Sequence, residues 1–365
     1  MKQLFKNLSI NGEILDILSS DGKIEKIGHI SGDGIDFYGK RAYAGLVDIH
    51  THGMGGIDTM DADFSELPKL YASAGTTTVY PTTMTASREA IVKALTADIP
   101  ENGAKIGGIH LEGPYISEKR KGAQNADFIR NPDITEFQEY NRAKIITLAP
   151  ELAGAIEYIK NTDMLVCVGH TNADYETALQ AADAGAKCLT HIYNGMAPLH
   201  HRLPSVIGAA FDRDMYIQVI CDGKHIHSSV IRILYKLFGA DRMILISDSV
   251  RATGLPDGKY EFGGQEMTVT TGTAIMPDGA LAGSTSTLLD CVKCAIDFGI
   301  PEQDAFKMAS ETPAKLLGLN CGKIAEDYDC DLIVLDDNNN IDTVIINGKI
   351  FEGTVKNGAN FMQKL

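Results

Sequence analysis

Two histidines separated by one residue, His50 and His52, stand in the segment HTHG, directly after the apolar run 44–49. Alternate residues of a strand project to the same side, so both imidazoles can turn toward one metal site. Other apolar runs of the chain also end in ligand or acid/base side chains. Glu112 closes 106–112, His170 closes 165–170, His191 closes 187–191 and Asp248 closes 243–248. Imidazole and carboxylate suit Zn(II), Fe(II), Mn(II) or Co(II), and an ion with an open position lowers the pKa of bound water toward neutrality. One histidine at a strand end is ordinarily a hydrogen-bonded rim or core residue. It is the repetition over separate runs that points to a shared metal site. Asp248, in ISDS, also fits a helix cap, but its place opposite the ligands points to a proton shuttle.

Further polar residues follow other runs. His225, in CDGKHIH just past residue 221, is placed to hydrogen-bond a substrate carbonyl or a developing oxyanion, whereas His227 reads as a surface histidine at a helix start. The segment HIYNGMAPLHHRLP brings Asn194, Gly195, His200, His201 and Arg202 toward the same end. A guanidinium such as that of Arg202 can hold a phosphate by paired hydrogen bonds. Gly107–Gly108 and Gly263–Gly264 lack a dinucleotide fingerprint and read as turns and close packing points. Cys291 and Cys294 form a C-x-x-C with no second pair, inside a run, 288–298, of helical apolar spacing, and read as helix packing.

The elements that must position these residues form a regular series. Eight buried apolar runs, 45–50, 77–81, 106–112, 143–148, 165–170, 187–191, 216–221 and 243–248, alternate with helical segments such as 64–74, 87–96, 173–184 and 228–237. That pattern predicts a metal-dependent (β/α)8 TIM barrel, whose active site lies at the carboxyl ends of the strands. The two ends of the chain differ from the middle. Runs 3–10, 13–18 and 23–30 are separated by Asn-Gly, Asp-Gly and glycine-rich turns, and 331–335 and 343–346 precede a hairpin signal at Asn347–Gly348. The expected organisation is a small β-sandwich domain built from 1–41 and 325–365 around a catalytic barrel, 42–324.

A net charge of −15 over 365 residues disfavours nucleic-acid binding, which needs clustered positive charge to neutralise phosphates. Any anionic ligand must therefore meet a local cluster of donors. Seven scattered cysteines suggest no disulfide framework and fit a reducing cytosol. The opening MKQLFKNLSI lacks the apolar run of a signal peptide, and no later run is long enough to span a membrane. The expectation is a cytoplasmic protein that acts on a small molecule without a nucleic-acid or membrane partner.

Nearly the whole chain resembles the amidohydrolase superfamily, and within it the N-acetylglucosamine-6-phosphate deacetylase family. The similarity rests on AGLVDIHTHG, HLEGPYIS, VGHTNA, LTHIYNGM, CDGKHIH, ISDS with GLPDGKYEFGG, and LAGS. HTH is shared by many amidohydrolases, while HLEGP with the HxxNGM-type segment is far more specific. The resemblance implies Glu112, His170 and His191 as principal metal ligands, with His50 and His52 available for a second ion, so one or two divalent ions per subunit. It implies hydrolysis of a linear amide C–N bond in amino-sugar metabolism. Water activated at the metal attacks the acetamide carbonyl, Asp248 takes the water proton and passes it to the departing amine, and His225 assists at the carbonyl. Contacts to the sugar phosphate are implied for Ala123 in KGAQ, Asn194, Gly195, Arg202, His225, Leu281, Ala282 and Gly283. The arginine matching Arg202 acts across a dimer interface in this family, which implies a homodimer. Where family members read HREPG this chain has HRLPS, and TSTLLD follows LAGS. Those differences leave the sugar epimer open between N-acetylglucosamine-6-phosphate and N-acetylgalactosamine-6-phosphate. A non-catalytic binding protein on the same fold is the alternative of a different class, and retention of all five ligands and Asp248 argues against it.

Overall fold

The computed structural model describes residues 2–353. Eight parallel strands form its centre: Leu46–Thr51, Thr76–Thr83, Ile109–Glu112, Ala143–Leu148, Leu165–Val168, Cys188–Leu189, Tyr216–Ile220 and Met243–Ile246. Each pairs with the next in sequence. The series nearly closes on itself: just past the eighth strand the Asp248 amide donates to the His50 carbonyl at 2.9 Å, and the His52 amide donates to the Ser249 carbonyl at 2.7 Å. Helices Leu67–Ser73, Arg88–Thr96, Tyr175–Ala184 and Ser228–Phe238 lie where the sequence pattern places them. The chain is thus a (β/α)8 barrel, as its alternating pattern predicts.

Period-two alternation explains why the runs read as continuously apolar. Ile146, Leu148 and Leu245 pack outward with the helices, while their neighbours Ile145, Ile244 and Ile246 fill the barrel interior. Three site-bearing strands are shorter than expected. The ladders stop at Val168, Leu189 and Ile246, two residues before His170, His191 and Asp248, whose φ angles are 45°, 25° and 47°. A non-glycine residue with positive φ leaves the β region, so each of these side chains is turned into the mouth by a bend, not carried there along a strand.

The third run is also divided. Lys105–Ile106 pairs with Thr76–Thr83, and Ile109–Glu112 resumes beyond Gly107–Gly108. A Cβ on Gly107 would lie 2.5 Å from the Tyr80 hydroxyl, and Tyr80 is itself buried. Gly107→Ala is therefore expected to destabilise the fold by about 1–3 kcal/mol through overpacking. Urea unfolding measures this directly, and an unchanged midpoint would contradict the close approach.

Both chain ends contribute to one eight-stranded sheet. Arg41–Ala44 runs antiparallel to Leu332–Leu335, so the sheet reaches Ala44, past the limit of 41 expected from sequence. Asn347–Gly348 makes the expected turn between Ile341–Ile346 and Lys349–Ile350. The part of the expected C-terminal unit beyond 353 lies outside the described residues. Leu332 and Val334 join Phe5, Leu8 and Ile17 in the sheet's own core, while Ile333 and Leu335 face the barrel. Tyr43 also stacks on Phe306 of helix Glu302–Met308 with ring centroids 3.6 Å apart. Alternate faces of one sheet thus make a small core and a fixed joint.

A three-stranded antiparallel sheet, Gly258–Phe262, Gln265–Thr270 and Thr273–Ile275, follows the eighth barrel strand. Gly263–Gly264 is its first turn, at φ 58° and 79°. Its apolar face, with Phe262, Met267 and Val269, packs on Met84, Val250 and Ala282 beside the mouth. Cys291 is buried in helix Leu288–Asp297, which also carries Cys294. Among the described residues no helix is long and apolar enough to cross a membrane.

Candidate metal centre

Glu112, at the end of the third barrel strand, is the hub of the mouth. Its Oε1 lies 2.8 Å from His191 Nε2, 3.2 Å from His170 Nε2 and 3.3 Å from His50 Nε2. Its Oε2 lies 3.2 Å from His52 Nε2. Among the described residues, His, Cys, Asp and Glu side chains come close enough to hold an ion in two groups, His50–His52–Glu112 and Glu112–His170–His191. Within each group the ligand atoms lie within 4.8 Å of one another, and Glu112 belongs to both.

The outer nitrogens of three imidazoles are already engaged. His50 Nδ1 meets Gln218 Oε1 at 3.0 Å, His52 Nδ1 meets the Thr82 carbonyl at 3.1 Å, and His170 Nδ1 meets the Arg120 carbonyl at 2.9 Å. A carbonyl oxygen accepts and cannot donate, so Nδ1 carries a hydrogen and Nε2 is the atom turned to the centre, where a bound ion would take the place of any proton on it. His50 Nε2 and Asp248 Oδ1 are buried without a hydrogen-bond partner. Orphaned buried atoms of this kind, in a donor set of four imidazoles and a shared carboxylate, fit one or two divalent cations.

The electrostatics favour positive charge at the same point. Burial opposes the charge on Glu112, yet the neighbouring His50 and His170 hold its carboxyl well below the usual carboxylate range. Burial also works against charge on His52, but Asp248 and Glu112 push its imidazole up to about 10. Asp248 is held low by His50 and His52 against its own desolvation. Two ionised carboxylates in a buried pocket draw a cation strongly, because little water screens them.

Asp248 Oδ1 stands 3.5 Å from His50 Nε2 and 3.4 Å from His52 Nε2. The LAGS segment supports it from behind: a Cβ on Gly283 would lie 2.7 Å from the Asp248 carbonyl oxygen. These groups open on a cavity of about 300 Å³, whose wall includes His225, Ala123, Asn194, Gly195, Leu281 and Gly283. Ala282 is absent from that wall. Its neighbours 281 and 283 face the cavity, so its own side chain is buried in the core of the three-stranded sheet. Arg202 is exposed, with Nη1 2.7 Å from His201 Nε2, and it too lies off the wall of its own chain's cavity.

His225 is held by Asp222, whose Oδ2 meets its Nδ1 at 2.8 Å and whose Oδ1 accepts from its amide at 3.0 Å. That leaves Nε2 as the ring atom available to the cavity. His227 caps helix Ser228–Phe238, as its context predicts, with its side chain accepting from the Ser229 amide. His110, two residues before Glu112, uses both ring nitrogens on the Ile49 carbonyl and the Thr147 hydroxyl, each at 2.8 Å, and is structural.

Several groups at the site have no clear signal in the sequence. Phe262 packs edge-on against His52, with centroids 5.2 Å apart. Gln218 is a lone amide in the apolar strand Tyr216–Ile220, and that polarity was the signal available for it. For an ion held by His50 Nε2, Gln218→Leu is expected to weaken binding about 10–100-fold. Competition with a chromophoric chelator measures it, and an unchanged Kd would show that His50 needs no such support.

Residues 41–351 match the family model described as Amidohydrolase family. The chain belongs to the amidohydrolase family. This amidohydrolase is 38% identical to an N-acetylglucosamine-6-phosphate deacetylase of Bacillus subtilis, over 84% of this chain and 83% of that protein. Among solved structures it resembles the N-acetylglucosamine-6-phosphate deacetylase of Thermotoga maritima at 33% identity and a TM-score of 0.87, covering 96% of this chain and 99% of that one. A variant of the Mycobacterium smegmatis deacetylase in complex with N-acetyl-D-glucosamine-6-phosphate matches with a TM-score of 0.88 at 27% identity, covering 97% and 100%.

Proposed function

We propose that this amidohydrolase is a deacetylase that cleaves the acetamide of N-acetylglucosamine-6-phosphate to give glucosamine-6-phosphate and acetate, in cytoplasmic amino-sugar metabolism. The observation that carries the reading is Glu112, shared by two ligand groups and faced by Asp248 across one cavity, in a chain 38% identical to such a deacetylase. Glu112, His170 and His191 would hold the principal ion, and His50 and His52 would serve a second with Glu112. When bound, the ion lowers the pKa of water and polarises the amide carbonyl. Asp248 accepts the proton of the attacking water and returns it to the departing nitrogen. His225 Nε2, with Nδ1 fixed on Asp222, donates to the carbonyl oxygen as charge develops there. Ala123, Asn194, Gly195, Leu281 and Gly283 bound the sugar, while Ala282, packed behind the wall, holds the two residues beside it in place. The catalytic unit is the barrel, since every residue of the cavity wall falls within 42–324, and the terminal sheet, in which Arg41–Ala44 pairs with Leu332–Leu335, supports it.

Arg202 supplies the phosphate contact in a homodimer. Its exposed position off its own cavity supports a reading in which it serves the cavity of a second copy. Arg202→Ala is expected to raise KM for the phosphorylated sugar about tenfold or more, as loss of a charge-assisted contact does, while turnover of unphosphorylated N-acetylglucosamine stays the same. An equal effect on both sugars would remove the phosphate assignment. The test of the function is acetate release by metal-loaded protein from N-acetylglucosamine-6-phosphate, N-acetylgalactosamine-6-phosphate and N-acetylglucosamine. The highest kcat/KM is expected for the first. A preference for the second would move the sugar, and no release from any would leave a binding protein.

A further inference from the structure

The Glu112 carboxylate has a neighbour to which the catalytic reading gives no task. Gln124 is 3% exposed; its Nε2 donates to Glu112 Oε2 at 2.5 Å and its Oε1 accepts from the Thr85 amide at 2.7 Å. Thr85 in turn donates its hydroxyl to the Glu112 backbone carbonyl at 3.2 Å. The three residues close a ring that begins and ends on Glu112. A primary amide has one donor side and one acceptor side. With Oε1 fixed by a backbone N–H, a flip would set the NH2 against that N–H and the carbonyl oxygen against the carboxylate. The NH2 group is therefore pinned on Oε2. The other oxygen, Oε1, is the one that meets His50, His170 and His191.

The loop that carries Gln124 also bounds the cavity. Gly122 and Ala123 are in its wall, and the Ala123 carbonyl accepts from Gln265 Nε2 at 3.0 Å, tying the loop to the three-stranded sheet. The side chain at 124 is well chosen for a place beside a ligand carboxylate. A cationic residue would compete with the ion for Glu112, and a carboxylate would repel it, whereas a neutral amide orients it without changing the charge of the centre.

We propose that Gln124 is a positioning residue of the metal centre, fixing the Glu112 carboxylate so that Oε1 is presented to the ion shared with His170 and His191. The inference rests on the reading of Glu112 as a ligand. Removing a partner that orients a ligating carboxylate costs about 10–100-fold in metal affinity.

The experiment uses the full chain, freed of metal and titrated with Zn(II) and Co(II) against a chromophoric chelator. Gln124→Leu is expected to raise the Kd for each ion about 10–100-fold and to shift the Co(II) absorption bands. Leucine also leaves the Thr85 amide without its acceptor, so Gln124→Asn is the second variant: it is neutral and keeps an amide but, one methylene shorter, cannot reach the Thr85 amide and Glu112 Oε2 together. It is expected to hold the metal-free unfolding midpoint closer to wild type than leucine does and still alter the Co(II) bands, and it decides the matter if the leucine variant does not fold. Wild-type Kd and Co(II) bands in the variants that fold would overturn the inference alone, leaving Gln124 as a loop anchor. Glu112→Gln binding both ions as tightly as wild type, or wild type binding neither, would overturn the ligand reading together with it.

Discussion

Asp248→Asn is expected to keep its metal and to lose about 10²–10⁴-fold in kcat, the range associated with removal of a general acid or base. The substitution is nearly isosteric, and Asp248 is outside both groups of clustered ligand atoms. Its backbone also tolerates the change. The residue sits at φ 47°, a conformation that Asn adopts more readily than most side chains. The Asp248 amide would still donate to the His50 carbonyl, and its own carbonyl would still accept from Ser284 at 2.7 Å. What disappears is the ability to take a proton and give it back. Asp248 Oδ1 is buried without a hydrogen-bond partner, so the lost group is one that no structural bond occupies. Metal content by elemental analysis and kcat from acetate release would be measured on the same preparation. Full metal with near-normal turnover would end the proton-shuttle assignment, and loss of the ion would recast Asp248 as a ligand.

The barrel was legible because its eight strands are buried on both faces, and each run is apolar whether a residue points to the helices or to the interior, as Ile145 and Ile146 do. The hub residues were legible because a charged or imidazole group is costly to bury at the end of such a run unless it has a task. How His170, His191 and Asp248 reach the mouth was not. Nothing in a histidine or an aspartate announces positive φ, so these residues read as the last of a strand, although the ladder has ended two residues earlier. The sheet of Gly258–Phe262, Gln265–Thr270 and Thr273–Ile275 reads in the sequence only as turns and a motif. Its strands alternate apolar and polar because one face meets solvent, a weaker signal than a continuous run. Gln124 and Gln218 are silent in the sequence for a different reason. Amides carry no charge and suit many surfaces, and their roles come from contacts with residues 12 and 168 positions away. Ala282 shows the limit of motif proximity, since LAGS groups residues 281 to 283 and only the two outer ones face the cavity.

Truncation of Glu112 tests the centre as a whole. It is the one residue common to both ligand groups, so Glu112→Ala opens both, whereas His52→Ala removes a ligand from one. Glu112→Ala is therefore expected to bind no ion tightly and to lose nearly all turnover, while His52→Ala keeps an ion on Glu112, His170 and His191. Stability gives a readout independent of catalysis. An ion that binds the folded chain alone stabilises it by about 4 kcal/mol when present at roughly a thousand times its Kd. Wild type and His52→Ala should show that gain on adding Zn(II), and Glu112→Ala should show none. Losing the carboxylate also leaves His50, His52 and His170 buried beside one another with fewer negative partners. The charges that Glu112 favours on them then become a cost to the metal-free fold as pH falls and the imidazoles take up protons. Metal-free Glu112→Ala is thus expected to lose stability relative to metal-free wild type most strongly on the acid side of neutrality. A parallel pH dependence of the two unfolding midpoints, or a retained ion in the variant, would show that the four imidazoles are balanced by something other than the shared carboxylate.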